Sequence, residues 1–356
     1  MKLCTFRIPT LAGGIDRFGV AEDDAAGLPG DGAAGQISIV DVNAAYAAMS
    51  AQQGWLTAAD RADAFCPPDL SRYASVHGTS LAVLEETLAW LASVGGSAAD
   101  AGPFGPRGER LRFHLDEVRL LPPVTKVPVL RDFAAFEDHL KVTFGKMGLA
   151  IPAVWYERPL CFKGNPTSLY GHGEDVPWPA YAKQLDYELE LAAVIGRAVR
   201  DADIETAAEC ILGYTLLNDF SARDVQRGEM QNSTGPYKGK DFAWGLGPWI
   251  VTPDELGDPA AVNMKVAVNG EVWAESTPGP MQWTFPEIVS YTSQCETLNV
   301  GDVFGSGTVN NGCGFEIDRW IEPGDVVELW AEGVGALRHR IGFPGSAQVK
   351  WRRTAA

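Results

Sequence analysis

The chain has 356 residues, a hydrophobic fraction of 46% and a formal net charge of −17, enough apolar material for a sizeable core in two domains or in one large one with an appendage. So acidic a chain excludes a nucleic-acid backbone or an anionic membrane surface as its natural partner, and no apolar run approaches membrane-spanning length. Its six cysteines, Cys4, Cys66, Cys161, Cys210, Cys295 and Cys313, are scattered without a Cys-x-x-Cys pair, which excludes a zinc-finger or small-disulfide framework and fits reduced thiols in a cytoplasm.

The opening residues, Lys2 to Arg7, hold no signal-type apolar core because Arg7 interrupts them. Residues 1–120 are rich in Ala and Gly and poor in catalytic residue types. Gly27 to Gly35 reads as a surface loop, and Thr79 to Val94 as an amphipathic helix with Leu81, Leu84, Leu88 and Leu91 on one stripe. Leu120-Leu121-Pro122-Pro123-Val124 breaks any helix and divides the chain into a small domain, 1–120, and a larger one, 121–356. A helix is predicted over 132–146 with Asp132 as its N-cap. Strands follow over 185–191 and 213–218. Val262 to Val268 and Glu271 to Ala274 form a hairpin around a primed Asn269-Gly270 turn. Further strands are predicted over 303–308 and 326–329, and a helix over 286–293 with Pro286 in its first turn. Asn232-Ser233-Thr234 matches a glycosylation sequon but has no secretion signal to give it weight. Strands and helices do not alternate regularly, so a doubly wound sheet is not expected. The pattern is that of an α+β chain whose larger part is mainly antiparallel or mixed sheet.

The chemistry concentrates at element ends. In Leu185-Asp186-Tyr187-Glu188-Leu189-Glu190-Leu191 apolar and acidic residues alternate with the period of a half-buried strand. Glu188 and Glu190 then share a face, roughly 7 Å apart at Cα. Two such carboxylates are hard to ionise together unless a cation lies between them; by itself the pair fits a solvated edge equally well. Asp132 and His139, seven apart, fall on one helix face about 20° out of line and roughly 10 Å apart. Read alone they are a cap and a surface residue. Asn218-Asp219-Phe220-Ser221-Ala222-Arg223-Asp224 puts a carboxylate at a strand end. Arg223 and Gln226 could face one cavity, with Arg223 holding a substrate carboxylate by two hydrogen bonds, or Arg223 could pair with Asp224. Lys238 and Lys240 lie in a glycine-flanked loop that lacks the phosphate-loop spacing. Gly305-Ser306-Gly307-Thr308 could offer backbone N–H groups and Thr308 to an oxyanion. Oxygen ligands of this kind suit a hard cation, and the ligand spacing of a zinc site is missing.

This ordered set resembles the fumarylacetoacetate hydrolase family. The likeness runs from about Leu120 to Phe343 through Asp132-Phe133 with His139, Asp186 to Glu190, Asn218 to Asp224, Gly239-Lys240 and Gly305 to Thr308. Lys2 to Arg7 and Ile37 to Ala44 are similar to the small N-terminal domain of longer members. The resemblance implies a C-terminal β-roll, a homodimer, and a Mg²⁺, Mn²⁺ or Ca²⁺ held by Asp132, Glu188, Glu190 and Asp219. It implies that His139 and Glu316 form a water-activating dyad, and that Arg223, Gln226, Lys240 and Thr308 contact the substrate or an oxyanion. Where the family often has a tyrosine two residues after the first metal-binding aspartate, this chain has Ala134, which suggests a roomier pocket. His172 reads as a surface loop histidine. The function implied is metal-dependent hydrolysis of a carbon–carbon bond in a 1,3-diketo acid of the acylpyruvate or fumarylacetoacetate type, in the catabolism of aromatic or related compounds. A keto-acid decarboxylase, isomerase or hydratase is the alternative among enzymes. A catalytically inactive metal-holding protein is the alternative outside them.

Overall fold

The computed structural model describes residues 1–11, 13–23, 37–95, 103–231 and 235–346; the loop at 27–35 and the sequon at 232–234 lie outside the described residues. The strands of the first part are β1 (Lys2–Thr10), β2 (Gly13–Asp23), β3 (Ile37–Asp41), β4 (Arg112–His114) and β5 (Arg119–Leu121). Its helices are α1 (Val42–Gln52), α2 (Ala58–Phe65), α3 (Leu70–His77) and α4 (Ala82–Val94). Next come β6 (Leu130–Phe133), α5 (Glu137–Lys146), β7 (Cys161–Gly164), β8 (Leu169–Tyr170), β9 (Asp175–Val176), β10 (Leu185–Asp186) and β11 (Leu189–Ile195). They are followed by α6 (Ile204–Cys210), β12 (Ile211–Asp219), β13 (Ser221–Ala222), α7 (Arg223–Gln231), β14 (Trp244–Val251) and α8 (Pro253–Leu256). The chain closes with β15 (Met264–Val268), β16 (Glu271–Ser276), α9 (Phe285–Ser293), β17 (Val303–Gly305), α10 (Gly314–Ile317), β18 (Val326–Ala331) and β19 (Gly335–Ile341).

One large sheet has the order β4-β3-β2-β1-β14-β12-β11-β17-β6-β7, with β5 on β1 and β8 on β14. The first part of the chain thus adds its strands to the sheet of the second through the β1–β14 pair. A second sheet runs β16-β15-β18-β19-β9. Most pairs are antiparallel; β6–β17, β8–β14 and β9–β19 are parallel. This is the expected α+β class, with helices outside the ladder and not between successive parallel strands. Among the described residues no helix is long and apolar enough to cross a membrane.

Local chemistry accounts for several boundaries. Asp41 caps α1 by accepting the Ala44 N–H at 3.0 Å, and Arg17 anchors the same carboxylate. Thr284 and Glu287 form a capping box on α9. Asn269 and Gly270 both have positive φ, 53° and 82°, as the primed turn of the β15–β16 hairpin requires. Helix α4 starts at Ala82, three residues later than the apolar stripe suggested, and buries Leu84 and Leu91.

Two expectations are corrected. Asp132 is not a helix N-cap: it lies in β6, opposite Gly305 of β17, and the helix begins only at Glu137. Phe133, Ala135 and Phe136 are buried between the two elements, and Glu137 and Asp138 supply the acidic first turn that a helix N-terminus favours. Strand β11 is buried along its whole length, not half-buried. Leu189, Leu191 and Ala193 join one core with Leu216, Trp249 and Leu329; Ala192 and Val194 join the other with Leu217, Trp244 and the side chains of α1–α4. Its acid, Glu190, and the preceding Asp186 and Glu188 are interior groups, and their alternation does not mark a wet face.

Candidate active site

Strands β12, β11, β17 and β6 are neighbours, and three of them carry the acids. Asp132 lies in β6, Glu190 in β11 and Asp219 at the end of β12, while Glu188 precedes β11. Between β11 and β6 runs β17, where Gly305 faces Asp132 on one side and Ala192 on the other. A Cβ at Gly305 would stand 2.7 Å from Glu190 Oε2 and 3.1 Å from Asp132 Oδ1. The missing side chain is thus the space into which both carboxylates reach. Two residues on, Gly307 turns with φ +83°, and a Cβ there would lie 2.0 Å from the Phe133 carbonyl oxygen. Only glycine permits that turn at that approach. It stops β17 sooner than the predicted 303–308 strand and aims the Gly307 N–H at Glu190 Oε2, 3.2 Å away.

One oxygen from each of Asp132, Glu188, Glu190 and Asp219 lies within 4.8 Å of the others, and all four residues are buried. Lys240 Nζ pairs with both Glu188 and Asp219. Arg223 donates from Nε to Asp186 Oδ2 at 2.8 Å and from Nη2 to Glu188 Oε1 at 2.7 Å. Burial raises all four carboxyl groups, but the outcome differs. For Glu188, Arg223 and Lys240 outweigh burial and hold it below the usual carboxylate range. Burial pushes Asp132 up to about 6. Burial and the neighbouring acids leave Glu190 and Asp219 well above the usual range. Five buried acids, Asp186 included, against Lys240 and Arg223 leave an excess of negative charge that water cannot reach. The buried Oδ1 atoms of Asp132 and Asp219 have no hydrogen-bond partner. An all-oxygen donor set with orphaned lone pairs and surplus negative charge fits a divalent cation.

His139, on the first turns of α5, faces Glu316 of α10, with Nδ1 2.9 Å from Oε2. Glu316 is fixed from behind: the Asn311 N–H donates to Oε1 at 3.0 Å and the Cys313 thiol lies 3.4 Å from Oε2. The last turn of α5 is tied to the same helix, as Lys146 donates to the carbonyls of Phe315 and Glu316 at 2.8 and 3.2 Å. Asp186 accepts the N–H groups of Gly314 and Phe315 at 2.8 and 3.0 Å as well as the Arg223 Nε. It thereby locks the start of α10 to the strand segment that carries Glu188.

A cavity of about 210 Å³ opens above this floor, lined by Asp132, His139, Glu188, Arg223, Gln226, Lys240 and Thr308 among others. Glu190 and Asp219 lie beneath it in the cluster, and Glu316 lies behind His139. All ten residues singled out from the sequence thus meet in one place. Three details differ from expectation. Arg223 pairs with Asp186 and Glu188 rather than with Asp224, and its third nitrogen, Nη1, donates to Gln226 Oε1 at 3.0 Å, so its fork is filled from within. The Gly307 N–H and the Thr308 hydroxyl, 3.4 Å from Glu190 Oε1, serve Glu190 and are not turned to an open oxyanion site. His172 is half-buried against β19, its Nδ1 2.9 Å from the Ala336 carbonyl, and does not line the cavity. Ala134 lines it, and Lys238 is exposed. Asp186 and Cys313 were not singled out. Asp186 shares the parity of Glu188 and Glu190, which was a usable signal; nothing in the sequence sets Cys313 apart.

The family model described as "Fumarylacetoacetate (FAA) hydrolase C-terminal" matches residues 129–342. The oxaloacetate tautomerase YisK of Bacillus subtilis (strain 168) is 32% identical over 234 residues, 65% of this chain and 75% of its own. A 2,4-didehydro-3-deoxy-L-rhamnonate hydrolase of Sphingomonas sp. (strain SKA58) is 35% identical over 210 residues, 58% of this chain and 70% of its own. Among solved structures, a fumarylacetoacetate hydrolase from psychrophilic Exiguobacterium antarcticum superposes with a TM-score of 0.65 at 25% identity, covering 96% of this chain and 99% of that one.

Proposed function

The chain belongs to the fumarylacetoacetate hydrolase family, and from that membership we propose that it hydrolyses a carbon–carbon bond in a 1,3-diketo acid of the acylpyruvate or fumarylacetoacetate type, in the catabolism of aromatic or related compounds. The observation that carries this reading is the His139–Glu316 pair, 2.9 Å apart, at the same cavity as the four-carboxylate cluster. Asp132, Glu188, Glu190 and Asp219 would hold a Mg²⁺, Mn²⁺ or Ca²⁺, and that ion supplies Lewis-acid polarisation of the substrate oxygens.

The rest is work for the chain's own groups. His139 Nδ1 stands 2.9 Å from Glu316 Oε2 without a hydrogen bond between them in this structure; once the ring aligns on that carboxylate, the proton sits on Nδ1 and Nε2 is the base. Nε2 takes a proton from water, and Glu316 stabilises the imidazolium that results. The water oxygen adds to the carbonyl farther from the substrate carboxylate. The bond from that carbon to the methylene between the two carbonyls then breaks, and the electron pair leaves as an enolate. Return of the proton from His139 completes a carboxylic acid and an oxo acid, which is a 2-oxo acid when the substrate is an acylpyruvate. Lys240, fixed by Glu188 and Asp219, meets the charge of the departing enolate. Arg223 acts by holding Glu188 and Asp186 in place, with Gln226 beside it.

The named relatives include a tautomerase as well as a hydrolase, and tautomerisation of a 2-oxo acid is the second reading. The two separate in one assay. Purified protein with Mg²⁺ and an acylpyruvate is expected to release pyruvate and the matching carboxylic acid in equal amounts. Enol–keto conversion of oxaloacetate without pyruvate release from any acylpyruvate would overturn hydrolysis in favour of tautomerisation.

A further inference from the structure

The cavity has a charged floor and apolar walls. Leu140 and Phe144 of α5, Met147 at its C-cap, Met230 of α7, Phe162 of β7 and Phe315 of α10 line the walls, while Asp132, Glu188 and Lys240 are on the floor. The spacing is regular: Leu140, Phe144 and Met147 are four and three residues apart and so share one helix face. On α7 the run Arg223, Gln226, Arg227 and Met230 also keeps one face to the cavity, and it changes from polar to apolar along the helix. Among the described lining residues, Arg227 is the cation left to receive a second anion, since Arg223 and Lys240 are already paired with carboxylates. It is exposed, and no ion pair involves it among the described residues. An exposed guanidinium is screened by water and contributes little to binding, whereas each methylene buried against such a wall is favoured by about 0.8 kcal/mol. A second carboxylate placed against the apolar walls would lose its hydration without a buried partner.

We propose that the ligand of this cavity is a 2-oxo acid whose end distant from the carboxylate cluster is apolar, an alkyl chain or an aryl ring, and not a second carboxylate. The 2-oxo acid head rests on the acylpyruvate branch of the function proposed above; the apolar tail rests on the walls alone and excludes the fumarylacetoacetate branch. Calorimetric binding to the Mg²⁺-loaded protein tests it with 2-oxobutyrate, 2-oxohexanoate, 2-oxooctanoate, phenylpyruvate and the dicarboxylate 2-oxoadipate. Affinity is expected to rise about fourfold per added methylene, and 2-oxohexanoate is expected to bind more tightly than 2-oxoadipate, which has the same chain length. Phe144→Ala is expected to flatten the rise, and Arg227→Met to leave the ranking unchanged. Uniform affinities, absence of binding by every member, or a rise untouched by Phe144→Ala would overturn the proposal. So would a preference for 2-oxoadipate that disappears in Arg227→Met, which would assign a second carboxylate to Arg227. Binding is read independently of turnover. A rising series in a protein that releases no pyruvate from acylpyruvates would therefore keep the apolar tail and sink the hydrolase reading.

Discussion

Two lysines two residues apart, Lys238 and Lys240, show what the sequence carried and what it did not. Both sit between glycines in one loop, yet Lys240 is buried on Glu188 and Asp219 while Lys238 is exposed, its Nζ 5.4 Å from the Tyr181 ring centroid. Lys240→Met is expected to lower turnover far more than apparent substrate binding, since it removes a charge that meets one developing in the reaction. Lys238→Met is expected to be close to silent. Steady-state kinetics on any accepted diketo acid compares them, and like behaviour of the two would contradict the placement of Lys240. A second residue-scale test concerns His339, fully buried with Nδ1 3.0 Å from the Glu174 carbonyl and no partner for Nε2. Burial lowers its pKa from 6.5 to about 4. Between those values the unfolded chain binds a proton that the folded one refuses, so this histidine's contribution is intact above pH 6.5 and is lost as pH falls toward 4. The elevated acids of the cluster act in the opposite sense, so the difference between wild type and His339→Gln is the readout. The variant is expected to be relatively more stable at pH 4 than at pH 7, by on the order of 3 kcal/mol; parallel denaturation midpoints across that range would rule the effect out.

Elements with a strong local signal were legible. The β15–β16 hairpin was marked by Asn269-Gly270, helix α9 by Pro286 in its first turn, and strand β12 by its apolar run. The start of α5 was not, because Asp132 looks like a cap to any local rule; its place in β6 depends on pairing with β17, more than 170 residues later in the chain. The same long-range pairing hides the role of Gly305, which sits in a strand pattern as an ordinary weak position. Its lack of a side chain is what lets Glu190 and Asp132 meet across β17. Gly305→Ala is therefore expected to lower divalent-cation affinity by at least about tenfold, together with an overpacking cost of about 1–3 kcal/mol against Leu217, whose Cδ2 would lie 2.6 Å from the new Cβ. Metal titration and denaturant unfolding of the same preparation check the two effects. A variant that is destabilised yet binds the cation normally would show that the space at Gly305 is not needed by the carboxylates.

For the molecule as a whole, the order of motifs along the chain was enough to anticipate the α+β class and the meeting of ten residues, because the sheet order β12-β11-β17-β6 gathers what the sequence spreads over about two hundred positions. What stayed out of reach were the internal ties, such as Asp186 to α10 and Arg223 to Asp186, since a filled fork and an open one have the same sequence. The fold holds four buried acids together against their repulsion, and the account rests on a divalent cation being what relieves it. Calorimetric titration of Mg²⁺ into metal-free wild type, Glu188→Gln and His139→Ala tests this most directly. The expected result is one site per chain in wild type, at least about tenfold weaker in Glu188→Gln, where a charged ligand is lost, and unchanged in His139→Ala, which holds no ligand. Equal affinity in wild type and Glu188→Gln, or no binding to wild type at all, would contradict it.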